Sequence, residues 1–145
     1  MGQNEIECLL RPLMGKESTP FDPPTVEDWD FLRAKFNTDF SPEFVAFIDL
    51  MAIYAFPGEI LNVARGGCTN GNDQITTVYE AENTSDRWNR DMIPFYAIGN
   101  GDYFCLSACS GQHSPIFYHY HENGRDEKFA DSFEMWLKNL RSLLT

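Results

Sequence analysis

The sequence is poor in positive charge. Eleven Lys and Arg stand against 22 Asp and Glu, a net charge of −11. A field of that sign repels nucleic acid and anionic membrane, and it attracts basic proteins; it also serves plain solubility. The four cysteines, Cys8, Cys68, Cys105 and Cys109, contain no C-x-x-C pair, so the usual zinc and redox spacings are missing. Cys105 and Cys109 fall four apart in a strand-like run, where ~3.3 Å per residue separates them too widely for a disulfide. Free, buried thiols in a reducing cytoplasm are the expectation. No run approaches the ~18 apolar residues of a membrane span. MGQNEIECLL lacks the basic and apolar regions of a signal peptide, and Ile6 stands where a myristoylation motif wants Ser or Thr. These absences predict a soluble cytoplasmic protein, with no nucleic acid and no membrane among its partners.

Aromatic residues, by contrast, are plentiful. They form 14% of the 145 residues, which supports one well-filled core and excludes a disordered chain. Residues 1–25 read as a lead-in packed loosely over a single domain at 26–145, because Pro20, Pro23 and Pro24 forbid regular helix. Leu9, Leu10, Leu13 and Met14 suit at most a short helical turn. VEDWDFLRAKF then places Trp29, Leu32 and Phe36 on one helical stripe behind a Thr25 cap. FSPEFVAFIDLM repeats the design, with Ser41 as cap, Pro42 in the first turn, and Phe44, Phe47, Ile48 and Met51 on the buried face.

From residue 59 the period changes. ILNVAR, ITTVYEA, MIPFYAI, DYFCLSA and PIFYHYH read as five short strands rich in β-branched and aromatic residues. Glu122, Asp126 and Glu127 read as a solvated polar loop. ADSFEMWLKNLRSLL closes the chain as an amphipathic helix, with Asp131 and Glu134 spaced for a capping box. Segregated helices and strands predict an α+β fold: one twisted antiparallel or mixed sheet of about five strands, two N-terminal helices and one C-terminal helix.

Several motifs invite chemistry. Gly99, Asn100 and Gly101 resemble a phosphate loop, but they lie between two strands, no lysine follows, and Asp102 carries the wrong charge. A tight hairpin turn is the better reading. RGGCTNGND, between two further strand-like runs, reads as a flexible loop able to touch a partner. His119 and His121 share strand parity and would bind a metal if Cys105, His113 or Glu122 added a third ligand. Cys105 with His119 would make a nucleophilic pair only if the thiol were exposed and activated. Neither pattern is complete, so no metal, no cofactor and no catalytic residue is expected. Tyrosine favours binding hot spots. Tyr103, Tyr118 and Tyr120, with Glu80 and Glu82, are the candidate partner-binding residues, on a sheet face that would be aromatic and acid-rimmed.

The segments IPFYAIGNGDYFCLS, PIFYHYHE and ADSFEMWLKNL, in that order, resemble the signature of the SUKH superfamily. FSPEFVAFI resembles that family's second helix. The matching positions are Gly101 and Asp102 in the hairpin, Pro115 and Tyr118 in the strand, and Ser132, Phe133 and Leu137 in the last helix. The resemblance covers about residues 26–140; AFPGEI departs from the family's Asn-Gly after the second helix. It implies an α+β fold and action by binding rather than catalysis. The superfamily holds bacterial immunity proteins, which mask a cognate toxin, and fungal regulators of cell-wall glucan synthesis. A basic toxin domain such as a nuclease is the partner this implies, with a regulatory scaffold as the alternative. The matched positions, Gly101, Asp102, Ser132 and Phe133 among them, are implied to be fold determinants.

Overall fold

The computed structural model describes residues 2–14, 22–54, 56, 58–66 and 73–144; at 141, 143 and 144 only the backbone is described. The glycine-rich loop around Cys68 lies mostly outside these residues, as does Ala55. Helix α2 (Val26–Phe36) starts where Thr25 accepts from the Asp28 amide and Asp28 returns the bond, a full capping box. Helix α3 (Pro42–Met51) starts at Ser41, whose hydroxyl accepts from the Phe44 amide. The closing helix α5 (Phe133–Leu144) is capped by Ser132, which accepts from the Met135 amide at 3.1 Å. Asp131 does not cap it; that carboxylate lies 2.5 Å from Lys128 Nζ instead.

Five antiparallel strands run in chain order: β1 (Glu59–Ile60), β2 (Met92–Ala97), β3 (Tyr103–Ser107), β4 (Ile116–His119) and β5 (Asp126–Ala130). The fold is thus α+β with one five-stranded antiparallel sheet. Pro94 has no amide to give a ladder, and the register shifts between Pro94 and Tyr96. That bulge turns both Phe95 and Tyr96 toward Trp136, at 5.0 and 5.9 Å between ring centroids. Phe47, Phe133 and Phe104 close around the same indole, and Phe44 packs on Phe95 and Phe133, making an aromatic core under α3 and α5.

Three segments depart from the sequence reading. ITTVYEA is a helix, α4 (Ile75–Glu82), rather than a strand. Its β-branched residues suggest extended chain, yet Ile75 and Val78 are buried one turn apart, and packing overrides a propensity of about 1 kcal/mol. ILNVAR contributes little strand; Asn62 makes only an isolated bridge to Gln74, at the start of α4. The fifth strand is instead β5, within the polar stretch read as loop. An edge strand carries charge because charge blunts further pairing. The lead-in also differs. Gln3–Leu10 form helix α1, whose Ile6 and Leu10 have no exposed surface, and it packs on α3 and α5. Residues 15–21 lie outside the described residues.

Candidate functional site

The Gly-Asn-Gly turn joins β2 to β3. Gly99 and Gly101 take φ of +101° and +99°, where side chains are strained. Asn100 Oδ1 accepts from the Asp102 amide at 3.0 Å, and the Ile98 amide donates to the Asp102 carbonyl at 3.0 Å. A methyl group on Gly101 would stand 3.0 Å from the His121 ring. The Asp102 carboxylate is buried and accepts four bonds, a long one of 3.4 Å from Asn100 Nδ2 and three shorter ones. The shorter ones come from the Tyr118 hydroxyl at 2.7 Å, the His121 amide at 2.9 Å and His121 Nδ1 at 2.6 Å. Burial pushes the carboxyl up, but these donors outweigh it and hold its pKa at about 2. The turn reading is therefore right, and the charge of Asp102 is spent on tying this hairpin to the end of β4.

Above that tie lies an aromatic row on the core-facing side of the sheet. Phe129, Phe104, Tyr118 and Tyr120 follow one another at centroid distances of 4.9, 5.3 and 4.7 Å. Its two ends emerge: Tyr120 and Phe129 are each 37% exposed. The Arg125 guanidinium lies 5.8 Å from the Tyr120 ring centre and pairs with Glu127 at 2.9 Å. Large exposed rings bordered by charge have the makings of a protein contact.

The opposite side of the sheet holds a second, smaller cluster. Trp88, Met92 and Cys105 pack together, with Tyr79, Tyr103 and Phe117 around them. Tyr103 donates to Glu82 at 3.2 Å, and Trp88 covers His119 at 4.4 Å between rings. His119 Nδ1 lies 2.7 Å from Asp126. Burial pushes the Cys105 thiol well up and keeps it protonated, so the buried sulfur is no nucleophile beside His119. Of the other cysteines, Cys8 and Cys109 are exposed rather than buried, and Cys109 lies in a 3-10 turn after β3 instead of in the strand.

The five candidate partner residues do not form one patch. Tyr118 and Tyr120 belong to the aromatic row. Tyr103 and Glu82 lie on the other face, and exposed Glu80 pairs with Lys35. His119 and His121 part in the same way, each against its own carboxylate, and among the described residues no group of three His, Cys, Asp or Glu is placed to hold a metal. Among the described residues, no helix is long and apolar enough to cross a membrane. Sequence reasoning missed Phe129 and Arg125: DEKFA runs three charged residues into two apolar ones, with no alternation to mark a strand.

No protein of curated function matches the sequence. A family model described as SMI1-KNR4 cell-wall, of the SUKH group, matches residues 4–142. The match begins inside α1, in keeping with that helix's place in the core. Spanning nearly the whole chain, it shows that this protein belongs to the SUKH superfamily.

Proposed function

We propose that the chain is a non-enzymatic binding domain, an immunity protein that masks a basic toxin domain, such as a nuclease, one to one in the cytoplasm. Family membership supports action by binding. The observation that carries the reading is the pairing of a net charge of −11 with the half-exposed rings of Tyr120 and Phe129. The charge steers a basic partner, and the rings anchor it. The polar groups that suggest catalysis are otherwise engaged: His119 with Asp126, His121 with Asp102, and Cys105 as a buried thiol.

A second reading is a regulatory scaffold, favoured by the cell-wall description of the matching family. A pull-down at low salt from lysates of the source and of competing strains separates them. One tight, basic, equimolar partner is the outcome expected of an immunity protein. Several weaker endogenous partners would favour the scaffold and contradict the first reading.

A further inference from the structure

An open groove of about 370 Å³ runs between the start of α1 and the outer side of α3. Phe40, Pro42, Val45 and Ala46 give it apolar walls, and Asp49 stands among them. Two aspartates line this groove, and they differ. Asp39 is satisfied: Arg33 Nε and Gln112 Nε2 each lie 2.7 Å from its carboxylate, and the Phe40 amide donates at 2.8 Å. Asp49 is half-buried and makes no side-chain hydrogen bond or ion pair with any described residue. Among the described residues Arg33 is the one cation lining the groove, and it is held by Asp39 and by Asp30 at 3.5 Å. Among the described residues nothing in the groove answers the Asp49 charge, and burial alone pushes its pKa up.

We propose that this groove receives a lysine or arginine side chain of a basic protein partner, its apolar stem against Val45 and Ala46 and its cationic head on Asp49. A half-buried carboxylate without a donor is costly, and a charge-assisted bond from outside removes that cost. Long cationic side chains bury their stems on apolar walls while the head seeks charge. The net charge of −11 favours such a partner over an acidic one. This site rests on the reading of the chain as a binder of a basic protein, and it names a point of attachment away from Tyr120 and Phe129.

The test is an amide-resolved NMR titration of the full chain with the peptide acetyl-Ala-Leu-Lys-Leu-Ala-amide. The same peptide with norleucine for lysine is the neutral control. The lysine peptide is expected to move the Val45, Ala46 and Asp49 resonances, and the neutral one to leave them. Asp49→Asn should weaken binding about tenfold, the scale of one charge-assisted bond. Asp86→Asn removes an exposed acid elsewhere and should weaken it less than about twofold. Equal losses in the two variants, equal binding of the neutral peptide, or no shift at Asp49 with millimolar peptide would each overturn the proposal. A captured basic partner that binds Asp49→Asn as tightly as wild type would remove this groove and leave the immunity reading standing. A lysine peptide seated at Asp49 with no basic protein captured would do the reverse.

Discussion

On one face of the sheet, Phe95, Phe104 and Ile116 have no exposed surface; Phe95 and Phe104 meet Trp136, and Phe95 meets Phe44 of α3. On the other, Cys105 is equally buried beside Trp88 and Met92, yet Trp88 packs on Tyr103 and His119, which make polar bonds to Glu82 and Asp126. The first face is held by apolar area and ring edges, which are indifferent to pH. The second mixes burial with pairings whose members must all be present. At the rim of the first face the two designs meet, where Tyr118 packs on Phe104 and donates to Asp102. Stability is thus concentrated in one layer, and the surface available for contact lies at its margin.

The largest effect should come from breaking the apolar face. Trp136→Ala should cost about 3–5 kcal/mol in urea unfolding, the range for deleting a fully buried large aromatic. A loss under 1 kcal/mol would mean that Trp136 is not the centre of the core. Gly101→Ala should cost about 2–3 kcal/mol, since it adds strain at positive φ to a contact with the His121 ring.

Asp102 gives the pH dependence. Its folded pKa of about 2 lies below the ordinary 3.8. Its contribution is therefore complete above pH 4 and is lost as pH falls from about 4 toward 2, on the order of 2 kcal/mol in all. Asp102→Asn should flatten that part of the stability curve; an unchanged acid limb would show that the carboxylate does not tie the hairpin. Tyr118→Phe removes one donor to it and should cost about 1 kcal/mol while raising the Asp102 pKa, readable by carboxyl NMR. Trp88→Phe sharpens the contrast at the small end. The Trp88 Nε1 is buried without a partner among the described residues, so its removal offsets part of the lost ring area, and a net change within about 1 kcal/mol is expected. A much larger loss would rank the second face with the first.

What was legible in the sequence was local or repeated. Thr25 and Ser41 announced their caps because a hydroxyl before a helical stripe has one good use. Ser132 was matched by resemblance, while the capping role went one residue too early, to Asp131; both can cap, and only the Met135 amide distinguishes them. α4 and β5 were misread in opposite directions. Ile75 to Val78 look extended, but their partners are Asn62 and β2, distant in sequence. DEKFA looks like loop because an edge strand shows its charges to water. The division of Tyr103 from Tyr118 was legible in parity once both strands were placed in register. The aromatic row ending at Phe129 depended on the unseen β5.

The most direct test of stoichiometric masking by an acidic binder is stopped-flow association with the protein captured in the pull-down, across a range of salt. We expect one-to-one saturation and an on-rate that falls steeply as salt rises, with dissociation little changed. An on-rate indifferent to salt, or saturation at another ratio, would contradict it.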